Sequence, residues 1–251
     1  MNAPALETRG LHKSFGALTV ANAVDFRLES GARQALIGPN GAGKTTFVEL
    51  VTGALRPSAG QINLDGADVT DLPQAARVKR GLVRTFQITA LFRGLSILEN
   101  VTLAICERQG IGGGLFWPAG RYRAAIEEAH ALLEQVGLED EALSPVTTLA
   151  YGRQRLVEIA ISLALSPKVM LLDEPAAGVP SAESGTIIEV IERLPTDIAM
   201  LIIEHDMDLV FRLAQRITVL VQGSILVEGT PEEIAADPEV RRVYLGERPR
   251  R

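Results

Sequence analysis

Cysteine is almost missing from this 251-residue sequence, with Cys106 the single example. One thiol closes no internal disulfide and builds no cysteine zinc cluster. The first twenty residues carry Glu7, Arg9, His12 and Lys13 without an apolar core, so they do not read as a signal peptide. No apolar run approaches the roughly 18 residues needed to cross a bilayer. Positive charge is also in the minority: 25 lysines and arginines stand against 31 acidic residues, for a net charge of −6. That balance argues against a protein that coats nucleic acid. The only basic cluster, Arg248-Pro249-Arg250-Arg251, reads as a frayed solubilising tail. These shortages predict a soluble, intracellular chain, and any membrane process it serves needs another chain to supply the membrane.

What remains is ordinary globular material, 47% hydrophobic, long enough for one or two domains. A chain of this size buries roughly three quarters of its surface. Its most informative stretch is QALIGPNGAGKTTFVEL, residues 34–50. Ala35-Leu36-Ile37 is a short apolar run of the kind buried in a parallel sheet. Gly38, Gly43, Lys44 and Thr45 then follow at the spacing G-x-x-x-x-G-K-[ST] of a phosphate-binding loop. Glycines let successive backbone N–H groups point into one concavity, and the helix that follows adds the positive end of its dipole. Lys44 can reach the outer phosphates as a point charge, and the Thr45 hydroxyl can ligate an accompanying Mg²⁺. At average glycine usage the pattern arises by chance in roughly one such chain in a hundred.

Around this stretch, residues 6–30 alternate loosely and break at Gly16 and Gly31, which suggests antiparallel strands. Phe15 lies there, placed either to pack the sheet or to stack on an adenine ring. Asp65-Gly66 after Gln61-Ile62-Asn63-Leu64 predicts a hairpin turn. Residues 71–85 read as a helix, followed by extension through Val83-Arg84-Thr85-Phe86-Gln87. Helical patterns at 96–107 and 123–136 flank a glycine and aromatic loop at 109–118, a connector or a partner contact. A long helix over 149–165 opens with Gly152 and stops at Pro167. Thr230, Pro231 and Glu233 stand as N-cap, N1 and N3 of a final helix.

Three further apolar runs read as buried strands: 169–172, ending in Asp173-Glu174; 199–203, ending in Glu204-His205-Asp206; and 217–221, ending in Gln222-Gly223. Ligands of open α/β sheets bind outside the carboxyl ends of the strands. One site can therefore collect the glycine loop, Asp173, Glu174 and His205. Asp173 suits Mg²⁺, and Glu174 suits orienting and polarising a water that attacks a terminal phosphate. His205 is either a simple strand-end histidine or a contact to that phosphate and water.

GPNGAGKTT, the TFQ around Gln87, LAYGRQR at 149–155, VMLLDEP at 169–175 and IIEHD at 202–206 come in the order of ATP-binding cassette (ABC) subunits. The chain resembles that family along essentially its whole length. The resemblance implies an α/β fold: a P-loop NTPase core with a mixed sheet, an antiparallel β subdomain and an inserted helical subdomain. Residues 1–86 and 166–251 would form the ATPase core, and 87–165 the helical subdomain. Carried over, Gly38, Pro39, Asn40, Gly41, Ala42, Gly43, Lys44, Thr45 and Thr46 would hold the phosphates of ATP. Phe15 looks like the adenine-stacking aromatic, and Thr45, Gln87 and Asp173 like the Mg²⁺ ligands. Lys44, Gln87, Glu174 and His205 would carry catalysis. Leu149 to Gln154 stands where the signature motif stands, so Ala150, Tyr151, Gly152, Arg153 and Gln154 would meet ATP held by an opposing subunit. Ala150 lacks the serine hydroxyl of many signatures, Arg153 replaces a usual glutamine, and Val179-Pro180-Ser181 replaces Leu-Asn-Pro.

Within the family, VRTFQITALFRGLSILENV, DEPAAGV and IIEHDMDLVFRLAQRITVLVQGSILVEGTPEEI look like the ATPase of branched-chain amino acid uptake systems. The chain is similar to the longer of the two ATPases in such systems. The implied partners are a second ATPase, two membrane permeases and an outside binding protein, with no nucleic acid. The implied place is the cytoplasmic face of the membrane. The alternatives are the ATPase of a lipid or lipopolysaccharide exporter and a soluble cassette ATPase without a transporter.

Overall fold

The computed structural model describes residues 3–85, 91–111 and 119–245, which divide into two compact units. The first comprises residues 1–82, 168–174 and 195–251, and the second 83–167 and 175–194.

In the first unit, β1 (Leu6–Phe15) and β2 (Leu18–Leu28) pair antiparallel around the turn at Gly16, as the alternation predicts. β3 (Arg33–Ile37) leads to the glycine loop and α1 (Lys44–Thr52). β4 (Ala59–Leu64) and the short β5 (Ala67–Asp68) pair across Asp65-Gly66. Both turn residues have positive φ, 47° and 76°, as the tight hairpin expected there requires. These strands form an antiparallel sheet ordered β2-β1-β4-β5.

The expected helix over 71–85 is much shorter. α2 spans only Gln74–Val78, and Gly81, at φ 96°, turns the chain into β6 (Leu82–Arg84). Pro73 at the N-cap and Gly81 beyond the last turn bound the helix, and Arg77 within it enters the interior at 1% exposure.

The second sheet contains β7 (Val169–Asp173), β8 (Ala199–Ile203), β9 (Arg216–Val221) and β10 (Ser224–Gly229) in the order β10-β9-β3-β8-β7-β6. β9, β3, β8 and β7 run parallel, whereas β10 pairs antiparallel with β9, so the sheet is mixed. Every residue of β7 and β8 is buried, which explains why these strands read as unbroken apolar runs. On one face Phe47, Val48 and Leu50 of α1 pack with Leu36, Leu171 and Leu201 of the strands. The other apolar cluster joins Ala35, Ile37, Ile217 and Val219 to three helices: α7 (Met207–Leu213), α8 (Pro231–Ala236) and α9 (Pro238–Leu245). The sequence pattern predicts one final helix after Thr230. The structure has two, because Asp237-Pro238 ends α8 and Asp237 starts α9 by accepting from the Glu239 and Val240 amides.

The second unit is helical: α3 (Ile97–Gln109), α4 (Ala119–Gln135), α5 (Tyr151–Ala164) and α6 (Ser181–Arg193). Ser96 and Glu99 form a complete capping box at the start of α3. Ile97, Val101, Ile105, Ala129, Leu133, Val157 and Ile191 supply its buried face. Most of the 109–118 loop lies outside the described residues.

Candidate nucleotide site

β3, β8 and β7 are adjacent and parallel, so their carboxyl ends share one edge of the sheet. The glycine loop follows Ile37, Asp173 is the last residue of β7, and Glu204-His205 follows Ile203. The loop is built for close approach. Gly43 caps α1 at φ 104°, and a Cβ there would meet the Val20 carbonyl oxygen at 2.7 Å. A Cβ on Gly38 would meet the Leu220 carbonyl oxygen at 2.2 Å. Neither position accepts another residue without displacing backbone. The Gly223 amide donates to the Ala42 carbonyl at 2.8 Å, so the turn between β9 and β10 braces the loop.

No side chain caps α1, and no acidic residue lies in its first turn. The N–H groups of that turn have no intrahelical acceptor, an arrangement suited to an anion. Lys44 folds back over the loop, its Nζ donating to the Gly38 carbonyl and to the Pro39 carbonyl at 3.2 Å. Burial lowers the Lys44 ammonium pKa, while the nearby Glu174 and Asp173 carboxylates oppose that shift. The lysine and both acids expected at the site therefore share one local field.

Asp173 is nearly buried at 7% exposure, whereas the Glu174 side chain is about one-third exposed. Glu174 adopts φ 47°, an uncommon conformation for a residue with a side chain, while its amide donates to the Ile203 carbonyl at 2.9 Å. Strain of this kind persists only where the surrounding structure enforces it. Glu174 Oε1 and Glu204 Oε2 each lie 3.5 Å from His205 Nδ1. Glu204 is a residue that motif reading passed over. Its only signal was an acid between an apolar strand and a histidine.

Phe15 is 53% exposed, with Lys13 Nζ 5.0 Å from its ring centroid. About half of the residue is therefore covered, at the end of β1. Gln87 lies outside the described residues.

In the second unit, α5 begins at Tyr151 with Ala150 as its N-cap and no capping side chain. Gly152 is buried, and a Cβ there would lie 2.4 Å from Glu183 Oε2. Arg153 is engaged by Glu141 at 2.7 Å and by the Gly137 carbonyl at 3.1 Å. Gln154 donates to the Leu149 carbonyl at 2.9 Å. Arg155 donates to the Tyr151 hydroxyl and pairs with buried Glu158, each at 2.8 Å. A groove of about 440 Å³ runs past Ala150, Gly152, Arg153 and Glu183.

The profile of the ABC transporter family matches residues 21–177, and that of the branched-chain amino acid ATP-binding cassette transporter C-terminal segment matches 224–249. The chain is an ABC transporter ATPase. This ABC ATPase is 41% identical to the high-affinity branched-chain amino acid transport ATP-binding protein BraF of Pseudomonas aeruginosa, over 98% of this chain and all of that one. It is 40% identical to LivG of Escherichia coli K12, a protein of the same description, with the same coverage. Among solved structures it resembles the ADP conformation of MJ1267, an ATP-binding cassette of an ABC transporter. The TM-score is 0.83 and the identity 29%, covering 97% of this chain and 99% of that one. No helix among the described residues of the ABC ATPase is long and apolar enough to cross a membrane.

Proposed function

We propose that this ABC ATPase is the ATP-hydrolysing subunit of an importer for branched-chain or related amino acids, energising a separate membrane permease from the cytoplasmic face. The observation that carries the reading is identity of about 40% along the whole chain to ATPases of branched-chain amino acid transport. The C-terminal segment typical of that group matches as well.

The chemistry at the site is in-line attack of water on the terminal phosphate. Lys44 and the N–H groups of the loop from Gly38 to Thr46 stabilise the charge that develops on the phosphoryl oxygens. Glu174 orients the water and accepts its proton, and His205 contacts the terminal phosphate and the water. Phe15 stacks on adenine. A nearly buried carboxylate at Asp173 and a hydroxyl at the first turn of α1 are hard oxygen donors suited to Mg²⁺. Thr45 and Asp173, with Gln87 as the family resemblance implies, would hold Mg²⁺, which would neutralise charge on the outer phosphates.

The N-terminus of α5 is a second anion site in a chain with one phosphate loop. Ala150, Tyr151, Gly152, Arg153 and Gln154 therefore complete the site of an opposing subunit, through backbone groups above all. The side chains of Arg153 and Gln154 are held within their own unit.

The test is affinity purification of the chain from detergent-solubilised native membranes, with co-purifying chains identified by mass spectrometry. A second, shorter cassette ATPase and two permeases are expected. Recovery with an exporter's membrane chains, or only with ribosomes or DNA, would overturn the importer reading and leave the ATPase chemistry in place.

A further inference from the structure

Glu204 directly follows β8 and is 3% exposed. A carboxylate at that depth is costly unless its oxygens are paired. Glu204 Oε2 accepts from the His205 amide at 2.8 Å and the Asp206 amide at 3.2 Å, and lies 3.5 Å from His205 Nδ1. The same Nδ1 lies 3.5 Å from Glu174 Oε1. One ring nitrogen is thus bracketed by two carboxylate oxygens from two strand ends.

An ionised carboxylate only accepts hydrogen bonds, and a neutral imidazole has one N–H and one lone pair. With acceptors on both sides, the proton belongs on Nδ1, leaving Nε2 across the ring for bound groups. The His205 side chain is 69% exposed, so little packing fixes its orientation. The buried acid accepts from the two backbone amides and places an oxygen 3.5 Å from Nδ1. Supporting partners of this kind set histidine tautomers elsewhere in protein chemistry.

We propose that Glu204 is a positioning residue for His205, its buried carboxylate fixing the histidine's backbone and, with Glu174, its Nδ1–H tautomer. The inference rests on the reading of His205 as the group that contacts the terminal phosphate.

Because the chain has only three histidines, His12, His130 and His205, long-range ¹⁵N–¹H correlation on histidine-labelled protein resolves each ring, with His205→Ala assigning the third set. At alkaline pH, where imidazoles are neutral, wild-type His205 is expected as Nδ1–H. Glu204→Gln keeps an oxygen for the two amides but loses the charge. It is expected to shift His205 toward Nε2–H while His12 and His130 stay unchanged. The same substitution is expected to lower kcat about tenfold, the lower range for lost supporting partners, with KM for ATP unchanged. In a His205→Ala background it should lower kcat no further, a non-additivity that a purely structural role would not produce. If Glu204→Gln fails to fold, Glu174→Gln leaves Glu204 as the one carboxylate at Nδ1, and Nδ1–H must persist.

An Nε2–H ring in the wild type, or equal kcat losses in both backgrounds, would overturn the proposal. The tautomer is read without nucleotide. An Nδ1–H ring in a protein lacking ATP turnover would therefore count against the proposed function and still support the grip of Glu204.

Discussion

Arg77 and Glu174 carry opposite kinds of information about this protein. Arg77 is fully buried and donates to four backbone carbonyls: Leu50 and Val51 at the end of α1, Thr70 and Leu72. It closes the negative end of the helix whose other end faces the nucleotide site. Arg77→Met keeps the hydrocarbon stem and orphans those carbonyls, so a loss of about 3 kcal/mol or more is expected in denaturant unfolding. An unchanged midpoint and slope would mean that water satisfies the carbonyls instead. Glu174 is held at φ 47° directly after β7, an uncommon conformation that the surrounding structure enforces. Glu174→Gln is expected to lower ATP turnover by about 10²–10⁴ while ATP affinity survives. Turnover equal to wild type would remove Glu174 from the role of base. Tyr244, half-buried against Ile37 and its neighbours, has its hydroxyl pushed up to about 12 by burial, with the Gly38 amide opposing. That amide bears on the oxygen without a hydrogen bond of normal geometry, and the hydroxyl has no partner among the described residues. Tyr244→Phe is therefore expected to fold with equal or slightly greater stability by thermal melting.

Elements with complete local signals form where those signals stand. Thr230, Pro231 and Glu233 start α8, and Ser96 with Glu99 starts α3. In each box the hydroxyl accepts from the N3 amide and the glutamate accepts from the N-cap amide. Ser96→Ala should cost about 1 kcal/mol in stability, and a loss below about 0.3 would make the box dispensable. Elements lacking such signals diverge from expectation. The 71–85 pattern has helical composition, but Pro73 and Gly81 leave room for only Gln74–Val78. Local periodicity could not reveal that Arg77 is pulled inward by carbonyls some 26 residues earlier in the chain. The end of α8 at Asp237-Pro238 was legible in principle, because proline restricts the residue before it.

At the scale of the whole molecule, the proposed completion of each nucleotide site by an opposing subunit predicts an ATP-dependent dimer. Glu174→Gln with saturating ATP is expected to shift the chain to a dimer in sizing chromatography, and ATP removal should return it to monomer. A particle that stays monomeric would count against sites completed in trans.

The sequence by itself determined the phosphate loop, the four buried strands beside it and the acids and histidine at their ends. These are encoded by glycine stereochemistry, by unbroken apolar runs and by short motif spacing, all of them local. Only the tertiary structure decided that β3, β8 and β7 lie side by side, bringing Lys44, Glu174 and His205 into one field. It also decided that Phe15 is half exposed, that Gly223 braces the loop and that buried Glu204 lies against His205. Each of these depends on which strand neighbours which, and strand order is set by packing between residues far apart in the chain.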